Sequence, residues 1–445
     1  MKSKIKKAVR KEAIIAIVIA LALSLFLTAC AGNGQDATVA DPVPGDTAVA
    51  DPTPEDTTAA DPAPDDTVNV TEDGERVITF LLTHPIEREG IWSSLDMFTE
   101  ETGIIVEVIN VPLGESRTQI PTWAMGGTLP DVLNIDNTDT FNWAQMGFIA
   151  DLSDLVERDV ELEFFFESVL ENQLFEDRFY SMPFYANNLA MYYNREIFDA
   201  VGVELPTTLD EVLAIAPAIS AAGYDVFGIA AGSTTDTTFQ QWPFIWGSGA
   251  DWTDLDSPQN IGQLTFFQTL VENGWMSVEV TTYNAGDNAN QFTAGHVAMI
   301  VDGPWRLPTI VENASFEWGV TMIPEGAGGF STVLGGHNLA ISTTADRELA
   351  WELVMFFNRP DIMQRFCEID NYVPARWDVA AASQVMNSHP MSGFVGMMDY
   401  AVPMPKENYM EISDAIIRML QSVLLGQATP AEAASEAAAS IELIG

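Results

Sequence analysis

The stretch VITFLLTHPIEREGIWSSLDMFTEETGIIVEVINV, residues 77–111, sets the expectation for the fold. Its first seven residues, VITFLLT, are apolar and β-branched and predict a strand. Apolar residues then recur at helical spacing up to Gly103, and IIVEVINV predicts a second strand. TLPDVLNIDN, residues 128–137, adds a third strand after another helical stretch. Strands that alternate with helices in this way predict a parallel sheet covered by helices.

The α/β pattern continues downstream. EIFDAVGVELPTTLDEVLAIAPAIS, residues 196–220, predicts two helices, the second with Thr208 as its N-cap. HVAMIVDG, residues 296–303, predicts a buried strand, and ELAWELVMFFNRP predicts a helix that Pro360 stops. A closing helix is expected after Thr429. The roughly 370 residues from Arg76 onward exceed what one core usually holds, so two lobes are expected.

The N-terminus predicts export and lipid anchoring. Six basic residues lie among the first eleven, and an apolar run follows from Ala13 to Ala29. This is typical of a secretory signal, although the run is also near the lower limit for a retained transmembrane anchor. The tetrad LTAC, residues 27–30, resembles the lipobox of bacterial lipoproteins, in which the cysteine, here Cys30, is lipidated and becomes the new N-terminus. Acyl chains there would hold the protein on a membrane.

Residues 30–73 predict a disordered tether. ADPVPGDTAV, ADPTPEDTTA and ADPAPDDT repeat a unit of Asp, Pro, Thr and Ala without aromatic residues. Such a segment buries too little apolar surface to order itself, and proline and like charges keep it extended.

Charge and the scarcity of motifs exclude several functions. The chain has 19 basic and 64 acidic residues, a net charge of −45, which argues against nucleic acid and anionic lipid as partners. It also argues against anionic ligands unless a local basic pocket exists.

Cys367 is the lone cysteine of the folded part and is expected in the core. The histidines are scattered, and no nucleophile elbow or phosphate loop is present, so no metal, cofactor or catalytic site is predicted.

Seven motifs follow one another along the folded part. They are FTEETGIIVEV (98–108), LPDVLNID (129–136), YSMPFYANNLAMYYNREIFDAVGVELPTTLDEV (180–212), FTAGHVAMIVDGPW (292–305), GVTMIPE (319–325), LGGHNLAIS (334–342) and AWELVMFF (350–357). In series they resemble the extracellular solute-binding proteins of bacterial ABC importers, family 1, the sugar-binding type that includes maltose-binding protein. The resemblance covers nearly all of residues 77–445.

The resemblance implies a periplasmic-binding-protein-like clamp of two α/β lobes, each a mostly parallel sheet flanked by helices. Residues 1–29 are then the signal peptide and 30–73 the lipidated tether. Residues 74–184 plus 338–402 are expected to form the N-terminal lobe, and 185–337 plus 403–445 the C-terminal lobe. The chain is expected to cross between the lobes at three places: Pro183–Asn188, Gly335–Asn338 and Val402–Pro405. Ligand would lie in the cleft between the lobes.

A sugar site needs aromatic rings for the flat C–H faces and planar polar side chains for the hydroxyls. Trp305 is the strongest candidate, because it follows a buried strand and the Asp302-Gly-Pro turn, and the resemblance implies a stacking tryptophan there. TTFQQWPFIWGSGADW, residues 237–252, resembles a cleft-lining segment and offers Phe239, Gln240, Trp242 and Trp246.

Further candidates flank the expected crossings and strand ends. Asn187 stands where maltose-binding protein has a pocket carboxylate, which puts maltose itself in doubt, and Tyr185 is its neighbour. The remaining candidates follow strand ends or lie near the second crossing: Thr83, His84, Asp136, Asn137, Asp302, Gly336, His337, Tyr372 and Arg376.

The sequence therefore predicts a monomeric, lipid-anchored protein on the extracellular face of a bacterial membrane, in an organism expected to have a single membrane. It would capture a carbohydrate, expected to be an oligosaccharide, and deliver it to the permease of an ABC transporter. The alternatives are a lipoprotein that binds a peptide, polyamine or other small solute, an adhesion lipoprotein that has lost transport, or a secreted glycan-acting enzyme. The aromatic-rich segments favour a saccharide.

Overall fold

The computed structural model describes residues 74–84 and 88–443, so the signal segment, Cys30 and the tether lie outside the described residues. The strands are β1 Val77–Leu82, β2 Ile105–Asn110, β3 Val132–Asp136, β4 Leu174–Phe175, β5 Arg178–Phe179, β6 Met182–Asn187, β7 Ala190–Asn194, β8 Asp225–Gly228, β9 Val297–Asp302, β10 Trp318–Thr321, β11 Thr332–Ile341 and β12 Ala401–Pro403.

The α-helices lie between and after these strands. They are α1 Glu89–Thr102, α2 Leu113–Gly126, α3 Thr140–Gln145, α4 Ser153–Asp159, α5 Glu167–Glu171, α6 Arg195–Val201, α7 Leu209–Ala221, α8 Thr235–Ser248, α9 Pro258–Glu272, α10 Ala285–Thr293, α11 Leu307–Asn313, α12 Arg347–Asn358, α13 Pro360–Asp370, α14 Trp377–Ala382, α15 Met391–Met397, α16 Tyr409–Leu424 and α17 Pro430–Glu442.

Six strands form the first sheet, in the order β12-β11-β3-β1-β2, with β6 also paired to β11. The opening stretch of the sequence supplies its parallel part, since β1 pairs in parallel with both β2 and β3. β11 runs antiparallel to β3 and β6 and parallel to β12. The α/β expectation is confirmed, with the helix α1 packed between this sheet and α13.

The second sheet has four strands in the order β10-β7-β9-β8. Only β8 and β9 pair in parallel here, while β7 runs antiparallel to both β9 and β10. This sheet is less parallel than expected. The reason is that β7 follows β6 after two residues and enters the sheet directly, without a crossover helix that would turn it to run with β9.

Local signals in the sequence account for several element ends. The side chain of Thr208 accepts a hydrogen bond from the amide of Glu211 and starts α7 as expected. α12 ends at Asn358, and Pro360 opens the next helix. Thr429 and Glu432 form a capping box at the start of the closing helix α17. These caps fix where the helices begin relative to the sheets.

The two sheets are joined where β6, β11 and β12 lie side by side. Gly335 pairs with Asn187 across β11 and β6, and Leu334 pairs with Pro403 across β11 and β12. All three expected crossings therefore meet in one region. The exact lobe boundaries stay a prediction. The helix α15 lies inside the segment 338–402 that was assigned to the N-terminal lobe, yet it packs against the second sheet. There the ring centroid of Phe394 lies 5.7 Å from that of Tyr192.

A continuous apolar core fills both lobes. Fully buried side chains include those of Phe80, Phe184, Tyr192 and Phe227. Cys367 is also fully buried, as expected, and burial raises the pKa of its thiol well above the ordinary value. Within residues 74–84 and 88–443, no helix has the length and apolar character needed to cross a bilayer.

Candidate functional site

A cavity of about 270 Å³ lies where the crossings meet, with walls from both lobes. Eight of the predicted site residues line it: Asp136, Asn137, Asn187, Phe239, Gln240, Trp305, Gly336 and His337. The rest of its wall was not predicted and comprises Leu113, Arg117, Thr138, Leu189, Thr235, Asp236, Ala285, Arg306, Gly335, Met404 and Tyr409.

The aromatic side of the cavity comes from the second lobe. Trp305 follows β9 in the short 3-10 turn Pro304–Arg306, and its half-buried ring lies 6.0 Å from the ring of Phe239, centroid to centroid. The indole folds back over Gly303, where a Cβ atom would lie 2.1 Å from two ring atoms. The indole can therefore take this position only because residue 303 is glycine.

Asp302 holds the turn that carries Trp305. Its carboxylate accepts hydrogen bonds from the amide of Gly303 at 2.8 Å and from Nε of Arg306 at 2.9 Å. Asp302 is fully buried and does not line the cavity. Burial raises the pKa of Asp302 to about 6, although the nearby Arg306 guanidinium offsets part of that rise. The residue positions the turn and does not face the cavity.

The polar side of the cavity comes from the first lobe. Nε of Arg117, on α2, donates to both carboxylate oxygens of Asp139 at 2.9 and 3.1 Å, and Asp136 lies 3.8 Å from the same guanidinium. Asp136 also accepts from the amide and hydroxyl of Thr138. Burial raises the pKa of Asp139 to about 7, against the attraction of Arg117. Planar polar groups thus face the aromatic rings across the cavity.

Two asparagines supply free acceptors at the crossing. The Oδ1 atoms of Asn137 and Asn187 are buried and have no hydrogen-bond partner within residues 74–84 and 88–443. Nδ2 of Asn137 donates to the carbonyl of Leu334 at 3.2 Å, which fixes the direction of its amide. A Cβ at Gly335 would lie 2.0 Å from Oδ1 of Asn187, so glycine is required beside it. A buried acceptor without a partner is costly, and a ligand hydroxyl would satisfy it.

A group of predicted residues lies behind the cavity wall. Tyr185 stacks on Tyr372 with ring centroids 3.7 Å apart and on His337 at 5.4 Å. His84 Nε2 lies 2.5 Å from the hydroxyl of Tyr185, and the hydroxyl of Thr83 lies 3.4 Å from Nδ1 of His337. Burial lowers the pKa of His337 to about 4, so its ring is neutral at pH 7. The other four side chains support His337 without lining the cavity.

Three further candidates lie away from the cavity. Trp242 is fully buried and stacks on Trp246 at 4.7 Å, and the indole N–H of Trp246 donates to Asp251. Arg376 pairs with Asp378 at 2.8 Å and lies over the rings of Phe164 and Phe165. Arg376 is therefore paired with an acidic residue away from the cavity.

Sequence reasoning missed the two arginines and Tyr409. Arg306 directly follows Trp305 at the end of a strand, and basic residues are scarce in this chain, so that signal was present. Arg117 and Tyr409 lie on helices, on α2 and at the start of α16, whereas the sequence analysis looked for candidates at strand ends and crossings. No group of His, Cys, Asp and Glu in the described part of the chain is arranged to hold a metal ion.

The fold has close counterparts of known structure. A solute-binding protein of an ABC transporter from Thermotoga lettingae, bound with α-D-tagatose, is 25% identical, with a TM-score of 0.73 over 83% of this chain and 100% of that chain. Maltose-bound MalE3 of T. maritima gives the same identity, TM-score and coverage. A relative from Brucella abortus, assigned only a general binding role, is 25% identical over 357 residues, 78% of this chain and 87% of its own.

The family of this chain follows from a match to a family model. The model of the family described as "Bacterial extracellular solute-binding protein" matches residues 85–364, which is well over half of the chain. These residues include the strands from β2 to β11 and nearly all of the cavity wall. This chain belongs to the bacterial extracellular solute-binding proteins.

Proposed function

We propose that this chain captures a small carbohydrate outside the cell and delivers it to the permease of an ABC importer. One observation carries the proposal: the rings of Trp305 and Phe239 face planar polar groups of the other lobe across one cavity. Aromatic faces suit the C–H surface of a sugar, and amides and carboxylates suit its hydroxyl rim.

The two Thermotoga structures support a carbohydrate, since one is bound with α-D-tagatose and the other with maltose. The cavity, at about 270 Å³, is near the lower end of the range for small-molecule sites. We therefore favour a sugar of one or two rings over a longer oligosaccharide. A free peptide or polyamine would make less use of the aromatic faces.

Binding would be coupled to closure of the lobes. Cavity residues come from both sheets, so a sugar that contacts both walls binds better when they approach each other. A ligand shifts an open–closed equilibrium only by its better contacts in the closed state. The protein's task is then capture and release, without a chemical step, and a lipid on Cys30 would keep it near the permease.

The experiment records intrinsic fluorescence and melting temperature of the purified full-length protein against a panel of mono- and disaccharides, including tagatose and maltose. A sugar at a hundredfold excess over its Kd is expected to add about 2.7 kcal/mol of stability. Trp305→Ala is expected to weaken binding by roughly tenfold, because it removes the main stacking face.

Trp377→Ala is the matched control, since Trp377 is 45% exposed and its indole N–H donates to the Glu163 carbonyl, away from the cavity. Equal losses in the two variants would contradict a stacking role for Trp305. A shift with peptides or polyamines but with no sugar would overturn the carbohydrate proposal, as would turnover of a glycan by the purified protein.

A further inference from the structure

The cavity holds two guanidinium groups although basic residues are scarce in this chain. Arg117 lies on its first-lobe side and Arg306 on its second-lobe side, and they are the cationic side chains among the described residues of its wall. Two arginines in a binding cavity ordinarily indicate an anionic ligand, such as a carboxylate or a phosphate. Their partners in this structure argue otherwise.

Each arginine is paired with a buried carboxylate. Asp302 is fully buried and holds Arg306 at 2.9 Å, while its second oxygen is bound to the amide of Gly303. Asp139 is nine-tenths buried and receives Nε of Arg117 on both of its oxygens. Both carboxylates are fixed by these bonds and by their burial, so neither can withdraw when a ligand enters.

Additional acidic groups face the same space. Asp136 and Asp236 line the cavity, one on each side. Four carboxyl groups therefore surround two guanidinium groups. At pH 8 both buried carboxyl groups are ionised, since their pKa values are raised only to about 6 and about 7. An entering anion would then find both cations neutralised and would meet the field of two unburied carboxylates, which disfavours it.

We propose that Asp302 and Asp139 are specificity-determining residues that bar anionic sugars from the cavity and favour uncharged ones. The inference rests on the proposed function, because it concerns which sugars the same cavity accepts. The two carboxylates act through the arginines: they hold each guanidinium in place and cancel its charge. The arginines can then donate to neutral hydroxyls without attracting free anions.

The test compares each neutral hexose with its 6-carboxylate: glucose with glucuronate, galactose with galacturonate, and mannose with mannuronate. Calorimetry on the full-length protein at pH 8, where both carboxyl groups are ionised, gives the affinity ratio for each pair. The wild type is expected to bind the neutral member of a pair at least about tenfold more tightly. Asp302→Asn, which leaves the shape but removes the charge, is expected to reduce that ratio by about tenfold.

Asp378→Asn is the matched control, since it removes a carboxylate from the Arg376 pair outside the cavity and should leave the ratio unchanged. If Asp302→Asn does not fold, Asp139→Asn makes the same test at Arg117. Equal or tighter binding of the uronate by the wild type, or an unchanged ratio in the variant that folds, overturns the inference.

A sulfate titration separates this inference from the proposed function. Sulfate is expected to raise the melting temperature of Asp302→Asn above a chloride control of equal ionic strength, and to leave the wild type at the control value. That result supports the inference that the two carboxylates neutralise the arginines, even if no sugar binds. If no sugar binds, only the carbohydrate proposal fails. Stabilisation of the wild type by sulfate, or none in the variant, overturns the inference whichever sugars bind.

Discussion

Asp302 lies at the end of β9, beneath the turn that carries Trp305 and Arg306, and both of its oxygens are engaged there. Other polar groups near it are Asp236, whose charge raises its pKa further, and the hydroxyl of Tyr192. A single buried carboxylate thus orders an aromatic ring and a cation that contact the cavity. Its ionisation is coupled to the stability of the whole site.

This coupling predicts a pH-dependent stability. Burial raises the pKa of Asp302 from 3.8 to about 6, so the folded state holds that proton more tightly than the unfolded state. Its contribution to stability is complete below 3.8 and is lost as the pH rises through about 6. Relative to Asp302→Asn, the wild type is expected to lose up to about 3 kcal/mol between about pH 4 and pH 8.

Urea denaturation of both proteins at these pH values measures the difference. The comparison between wild type and variant removes the contributions of the other titrating groups. A difference that stays constant, or one that grows in favour of the wild type with rising pH, would contradict a raised pKa at Asp302.

Residue types at strand ends predicted part of the cavity wall. Trp305, Asn187 and Asp136 follow or end strands, where α/β proteins place ligand groups, and all three line the cavity. Asp302 and Trp242 have side chains of the same types as Asp136 and Trp305, but they are fully buried. Whether such a side chain points into the cavity or into the core depends on packing against residues distant in sequence, which no local pattern encodes. Whether the lining residues contact a ligand stays a prediction.

At the scale of elements, β11 lines the cavity and pairs with the other strands where the expected crossings meet. It is ten residues long and pairs with β3, β6 and β12, and its register with β6 shifts between His337 and Asn338. Gly336, just before this irregularity, has φ of 138°, which lies outside the range that other residues usually adopt. The strand therefore needs glycine at this position.

Gly336→Ala is expected to destabilise the protein by about 2–3 kcal/mol, because the added Cβ would lie 2.4 Å from the carbonyl oxygen of Tyr185 in a strained backbone. Gly262→Ala in α9 is the matched control. Apart from the nearby backbone of the same helix and the two neighbouring residues, no atom of the described residues lies within 4 Å of its added Cβ. The change is therefore expected to stabilise the helix by up to about 1 kcal/mol. Thermal unfolding measures both, and similar effects of the two changes would contradict this account.

The elements themselves could be predicted better than their pairing. The pattern of the sequence predicted β1, β2, β3, α7 and α17, because periodicity and caps are local. It did not predict that β7 would run antiparallel to β9, since strand direction in the second sheet depends on how the chain enters it from β6. The resemblance implied the clamp as a whole but not the pairing in detail.

At the scale of the molecule, the two sheets and the shared crossings predict closure around a ligand. A saturating concentration of the sugar that binds most tightly is expected to lower the radius of gyration, because lobes that turn about a hinge approach each other. Small-angle X-ray scattering on the full-length protein measures this change. Trp305→Ala at the same sugar concentration should show a smaller decrease. An unchanged radius in a wild type shown to be saturated would exclude large-scale closure.

The burial of Cys367 has a practical consequence for following such motion. A thiol that is fully buried and resists ionisation reacts slowly with maleimides, because the thiolate is the reactive form. Once Cys30 is acylated or replaced by serine, the native fold presents no competing nucleophilic sulfur at its surface. A cysteine introduced at the rim of the cavity would then take a fluorescent dye at one position, and the protein would become an optical sensor for its own ligand.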